Sequence, residues 1–225
     1  MRKPNINMKG GLYPRTKNYY QKVFFRKVFG KKLYKYFKVF KIILLYKIGK
    51  SFEISDFLEQ IVKEDFVIFD IGANLGQYAI RFSSFLKEKG KVISVEPVYE
   101  NYLCLKKIKN RYKLNNLECY NYAVSNCEMV NKLYIPLINN DIELDTRATI
   151  NLENYYFKYD EYITQEVKIT TLQQIFKSLD LKRLDIIKSD TEGNDNNVIL
   201  GSIDLIKRHL PLIFIIFILF ILVYK

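Results

Sequence analysis

Residues 66–76 read Phe-Val-Ile-Phe-Asp-Ile-Gly-Ala-Asn-Leu-Gly. A short apolar run reaches Asp70, Gly72 and Gly76 follow, and a helical pattern opens at Tyr78. The run is too short for a helix and rich in Val, Ile and Phe, which predicts a buried strand of a parallel sheet. Glycines at the strand-to-helix turn let backbone approach a ligand with no Cβ in between. Open α/β sheets bind ligands at the carboxyl ends of their strands, which is where this turn falls.

The spacing of the glycines narrows the ligand. A dinucleotide fingerprint needs G-x-G-x-x-G, and a phosphate loop needs Gly-Lys-Ser/Thr; both are absent here. A nicotinamide-dependent enzyme is therefore disfavoured. Residues 91–97, Lys-Val-Ile-Ser-Val-Glu-Pro, form a second short apolar run with an acid at its end. It starts at the distance from the first turn that a βαβ unit requires. An acid there can accept the two hydroxyls of an adenosine ribose, which singles out Glu96; a solvated strand-end carboxylate is the plain alternative. A third strand is expected at Leu117–Tyr122. Ala123 and Val124 after it are small and apolar enough to lie against an adenine ring, or to be ordinary core.

The remaining pattern, Asp70-x-Gly72-x-x-x-Gly76, resembles the first motif of class I methyltransferases that use S-adenosylmethionine. Asp70, Gly72, Asn74 and Gly76 would then be cofactor-binding positions, with Glu96 and Ala123. Residues 184–193 read Leu-Asp-Ile-Ile-Lys-Ser-Asp-Thr-Glu-Gly. Together with the glycine turn, Val95-Glu96-Pro97 and the helix opening at Thr171-Leu172, their order resembles FkbM-type methyltransferases over residues 65–215. The Lys-x-Asp-x-Glu-Gly block is the specific part. Ser189 departs from it, standing where the family usually has an apolar residue. Asp195 stands where the family commonly has Glu. The resemblance implies O-methylation of a glycan or small metabolite. Asp190 would be base or orienter and Glu192 a cofactor or acceptor contact; helix capping by Glu192 and Gly193 is the plain alternative.

Charge is distributed unevenly. The net charge is +12, yet residues 1–50 hold 15 Lys or Arg and no acid, leaving 21 basic against 24 acidic residues in the rest. The basic excess thus belongs to the N-terminal segment. From Tyr20 to Tyr46 this segment is amphipathic at helical period. Lys27, Lys31, Lys35, Lys38 and Lys41 fall on one face, and Phe25, Phe29, Leu33, Tyr36, Phe37, Phe40, Ile43 and Leu44 on the other. It can pack on the domain, lie on an anionic membrane surface, or bind nucleic acid; the last is disfavoured because no basic patch elsewhere supports it. Gly30 is expected to divide the helix.

Three cysteines without C-x-x-C spacing, and no visible signal peptide, read as reduced thiols in a cytoplasmic protein, with peripheral membrane attachment as the alternative. The single histidine, His209, leaves no multi-histidine metal site and reads as a helix-end residue. Helices are expected at Tyr78–Leu86 and Tyr99–Lys113. Short strands are expected at Lys132–Ile135 and Glu166–Ile169. The segment 139–160 would shape the acceptor pocket, with Asp145, Arg147 and Thr149 as candidates.

The expected architecture is an α/β Rossmann-like class I methyltransferase sheet with helices on both faces. Residues 1–52 form a basic helical segment, 53–211 the methyltransferase domain, and 212–225 an apolar tail. That tail, Leu-Ile-Phe-Ile-Ile-Phe-Ile-Leu-Phe-Ile-Leu-Val-Tyr-Lys, fits strand five at its start and falls short of the roughly 20 residues that span a bilayer. The family's final β-hairpin is expected to be missing. The rival reading is a degenerate, non-catalytic relative.

Overall fold

The computed structural model describes residues 55–138, 142–153, 159 and 161–216, and eleven positions between Phe24 and Leu44. The apolar tail after residue 216 and most of the basic segment lie outside the described residues. The chain runs α1 (Ser55–Ile61), β1 (Val67–Ile71), α2 (Gln77–Phe85), β2 (Lys91–Val95), α3 (Tyr99–Tyr112), β3 (Leu117–Tyr120), β4 (Ala123–Val124) and β5 (Met129–Ile138). It continues through β6 (Ile142–Glu143), a 3-10 turn (Asp145–Arg147), β7 (Glu161–Thr170) and α4 (Leu172–Ser178). The last elements are β8 (Ile186–Ser189), α5 (Asp195–Leu200), α6 (Ile203–His209) and β9 (Leu212–Ile215).

The main sheet is five-stranded, in the order β3-β2-β1-β8-β9. Every neighbouring pair in it is parallel. β1 is buried throughout, its apolar run broken only by Asp70. Its side chains alternate between two cores. Val67, Phe69 and Ile71 join the cluster of Leu172, Ile175, Phe176, Val198 and Leu205 from α4, α5 and α6. Ile68 joins Leu58, Phe82 and Leu105 from α1, α2 and α3, with Leu86 just past the end of α2. This period of two places a helical layer on each face. Each fully buried Phe or Ile contributes about 1.5–3 kcal/mol through removal from water. The expected α/β architecture is therefore present. The strand order reverses between β1 and β8, and such a switch point opens a crevice at the carboxyl ends.

β9 pairs with β8 from Ile186↔Leu212 to Ser189↔Ile215, so residues 212–215 do form the fifth strand of this sheet. Phe214 reaches α1, where its ring meets Phe57 edge-on at 6.0 Å.

A second sheet has the order β4-β7-β5-β6. Its centre is an antiparallel ladder from Met129↔Ile169 to Leu137↔Glu161. The two arms span ten residues each, longer than the strands expected at 132–135 and 166–169. The apolar signal covers only the part that packs inward. Leu133, Ile135, Val167 and Ile169 are buried against Val98 and Ala123, and the ladder runs on through exposed residues. β4 joins β7 in parallel and so ties this hairpin to the end of β3.

α2 and α3 lie within a residue of their expected ends. His209 closes α6, and its ring packs on Phe176 at 5.1 Å. The described positions from Phe24 to Leu44 are helical, and Gly30 among them has φ 73, a left-handed value.

Candidate functional site

A cleft of about 590 Å³, counting the open space at its mouth, lies at the carboxyl ends of the main strands. Four separate stretches converge on it. Gly72 and Asn74 come from the turn after β1, Glu96 to Val98 from the end of β2, and Tyr122 to Val124 from the end of β3. Asp190 to Glu192 and Asn194 come from the loop after β8. Leu133 of β5, with Asp145 and Thr146 of the 3-10 turn and Ala148 and Ile150 after it, closes one side.

Glu96 is 4% exposed and is held in place from two directions. Its Oε2 accepts the backbone N–H of Asn74 at 2.7 Å, and its Oε1 accepts that of Val98 at 3.0 Å. Burial pushes its carboxyl up to about 7, against the opposing pull of those two N–H groups. Asn74 thus serves through its backbone, in a left-handed conformation with φ 51. Asn121 donates to the carbonyls of Glu96 and Pro97 at 2.8 and 3.0 Å, fastening the ends of β2 and β3 together.

Gly72 lines the cleft with its backbone and has φ 71. A Cβ there would stand 2.0 Å from the Asp190 carbonyl oxygen. The glycine is thus required by the packing of the turn after β1 on the loop after β8. Gly76 lies outside the cleft lining; it precedes α2 with φ 87.

Asp70 also lies outside the lining. It is wholly buried, and Lys188 Nζ stands 3.0 Å from its Oδ1. The same ammonium donates to the Gly72 carbonyl at 3.0 Å and lies 5.1 Å from the centre of the Tyr78 ring. Burial pulls Lys188 down, but Asp70 and Asp190 outweigh it, so its pKa ends above the ordinary value. Lys188 therefore stays charged and ties β8 to the turn after β1.

On the opposite side, Arg147 Nη1 donates to Glu192 Oε2 at 3.2 Å, with both side chains mostly buried. Burial raises Glu192 to about 7 even though Arg147 works against it. Burial likewise raises Asp190. The residue before α5 is Asn194, so Glu192 and Gly193 belong to the loop and do not cap that helix. Glu192 has φ 51, an uncommon conformation for a side chain of this kind.

Six of the residues expected from sequence thus share one cleft: Gly72, Asn74, Glu96, Ala123, Asp190 and Glu192. Of the acceptor candidates, Asp145 lines it and Arg147 reaches Glu192. Thr149 is buried in backbone pairing with Tyr134 and does not line it. Sequence reasoning misses Tyr122, Val98 and Asn194. The one signal for Tyr122 is that it is the aromatic neighbour of Ala123.

The family model for the methyltransferase FkbM domain matches residues 70–222, more than half of the chain. The chain belongs to the FkbM methyltransferase domain family. The match takes in every element from the glycine turn to β9.

Among solved structures, the chain is similar to methyltransferase FkbM from Methylobacillus flagellatus KT, with 16% identity and a TM-score of 0.48. The alignment covers 68% of this chain and 33% of that one, so this chain spans about a third of the Methylobacillus protein. It is also similar to a precorrin-6y C5,15-methyltransferase from Geobacter metallireducens GS-15, at 11% identity and TM-score 0.38, covering 70% and 56%. A Streptococcus mutans structure in complex with SAH aligns at 8% identity and TM-score 0.39, covering 69% and 63%. No curated protein matches the chain. Lys188, Asp190, Glu192 and Gly193, the block on which the sequence resemblance rests, fall within the matched residues. Asp190 and Glu192 line the cleft, Gly193 follows them in the same loop, and Lys188 lies directly beneath.

Proposed function

We propose that the cleft binds S-adenosylmethionine and that the domain transfers its methyl group to a hydroxyl oxygen of a small-molecule or glycan acceptor. One observation carries this reading. The ends of β1, β2, β3 and β8 meet in a single cleft whose polar and apolar walls suit an adenosyl group. Glu96 Oε1 takes the Val98 N–H and, at 3.5 Å, the Asn101 amide, while Oε2 takes only the Asn74 N–H, so of about four acceptor sites on a carboxylate the one left for a ribose hydroxyl is on Oε2. Val98, Ala123 and Val124 offer an apolar wall for the adenine.

When bound, S-adenosylmethionine supplies an electrophilic methyl group on a sulfonium. Transfer of that kind depends on positioning more than on strong acid–base help. The Gly72 turn, pinned by Lys188 and by the β2 carbonyl of Val95, fixes one end of the cleft. Glu192 holds the other. A carboxylate whose pKa lies near 7 is suited to take the acceptor hydroxyl's proton at neutral pH. Arg147 fixes its orientation. The Asp190 N–H donates to the Ile71 carbonyl and its own carbonyl packs against Gly72, which fixes the backbone that carries its carboxyl into the cleft beside Glu192, as base or orienter. The presence of all three acids supports an enzyme over a degenerate binding protein.

Melting the purified chain with S-adenosylmethionine, S-adenosylhomocysteine and NAD tests the reading. A rise in melting temperature with the two adenosyl-sulfur compounds and none with NAD is expected. A shift with NAD alone, or with none of the three, contradicts it.

A further inference from the structure

We propose that the N-terminal helical segment docks this chain on an anionic membrane surface, lying in the plane of the interface. The inference rests on a part of the molecule separate from the cleft and does not depend on the methyltransferase reading.

Leu33, Tyr36, Phe40 and Leu44 are helical and are 53%, 49%, 61% and 44% exposed. At 100° per residue they fall within a stripe about 80° wide. The segment is seated on the domain by a different side. Val39 packs against Leu75, Ile80 and Ile108 of the body, and the Tyr36 hydroxyl accepts from Lys107 at the margin. Packing on the domain therefore accounts for Val39 and leaves the Leu33–Phe40–Leu44 stripe facing outward.

Charge identifies the occupant. The first 50 residues hold 15 Lys or Arg and no acid, whereas the rest of the chain carries more acids than bases. A second copy of the chain would bring the same dense positive charge against it. Nucleic acid would satisfy the charge but leave the aromatic and aliphatic stripe in water. An anionic bilayer surface satisfies both, taking the apolar stripe into the headgroup boundary and the lysines onto the lipid phosphates and carboxylates. Among the described residues no helix is long and apolar enough to cross a membrane; lysines recurring every three or four residues from Lys27 to Lys41 make the proposed attachment in-plane.

The test is flotation of the full chain with vesicles of phosphatidylcholine alone, or of phosphatidylcholine with phosphatidylserine. Flotation is expected only with phosphatidylserine, and it should fall as salt screens the exposed charges. The triple variant Leu33→Gln/Phe40→Gln/Leu44→Gln should lose flotation at least tenfold while keeping its melting temperature. Three results would overturn the proposal. One is no flotation with phosphatidylserine at low salt. Another is equal flotation by the triple variant. The third is a lipid-free dimer in light scattering that the triple variant abolishes, which would make a second copy the occupant.

Discussion

Ser189 Oγ donates to Asp195 Oδ1 at 2.6 Å, and both side chains are buried. Both are positions at which the resemblance drawn from the sequence leads one to expect another residue, and they are each other's partner. The Asp195 carboxylate also accepts the Thr191 N–H at 3.1 Å, so the pair fixes the loop that carries Asp190 and Glu192. A carboxylate one methylene shorter than Glu is matched by a hydroxyl that comes to meet it.

This coupling is measurable. Ser189→Ala removes a hydrogen bond to a buried charged acceptor and should cost about 1.5–3 kcal/mol in urea unfolding. Asp195→Glu alone should also destabilise, because the longer chain meets the serine. The double variant Ser189→Val/Asp195→Glu should recover about 0.5 kcal/mol or more relative to the sum of its single changes, in the range of coupled neighbours. Additive costs would show that the two departures are independent.

Lys188 and Asp70 make a second, harsher case. Lys188→Met leaves a carboxylate in the core with no counter-charge, which typically costs about 3–5 kcal/mol. Replacing both, as Asp70→Leu/Lys188→Met, should regain most of that loss. It should not regain cofactor affinity, because the Gly72 carbonyl would still lack its ammonium. Urea unfolding beside titration with S-adenosylhomocysteine separates the two effects. A double variant that binds as tightly as the native chain would remove Lys188 from the positioning of the turn.

Glu96 and Glu192 set a pH dependence of the ligand-free fold. Both carboxyls are raised from 4.5 to about 7, so the folded chain holds their protons more tightly than the unfolded chain does. Between about pH 4.5 and 7 the unfolded state ionises first, and stability must fall as pH rises through that window. Each group contributes about 1–3 kcal/mol at most, and the loss levels off above the folded value. Chemical unfolding at pH 5, 6, 7 and 8 should show the decline. Stability that rises steadily over the same window would mean that neither acid is held protonated in the fold.

Much of this site is legible in the sequence because its signals are local. Residues 66–97 carry an apolar strand, a glycine turn, a helix and a second strand with a terminal acid, all within one βαβ unit. The Gly72 turn and Glu96 can therefore be placed from residue order alone. The contacts that bind those pieces together cannot. Asp70 reads as a strand-end acid, and only the parallel pairing of β1 with β8 sets it opposite Lys188, a residue distant in the chain. The long β5–β7 hairpin reads as two short strands, because its outer half is held by backbone pairing between exposed residues. The Arg147–Glu192 pair depends on that hairpin folding over the cleft, so neither residue's neighbours in sequence announce it.

Equilibrium titration of the chain with S-adenosylhomocysteine, beside Glu96→Ala, tests the central claim most directly. The native chain should bind one equivalent. Glu96→Ala should bind about 10- to 150-fold more weakly, as loss of a charged acceptor of about 1.5–3 kcal/mol requires. A cooperative unfolding transition of the variant, at a lower midpoint because the Asn74 and Val98 N–H groups lose their acceptor, shows that weaker binding is read on a folded protein. Saturable binding that is equally tight in both proteins, or no binding by a folded native chain, would contradict the assignment of this cleft.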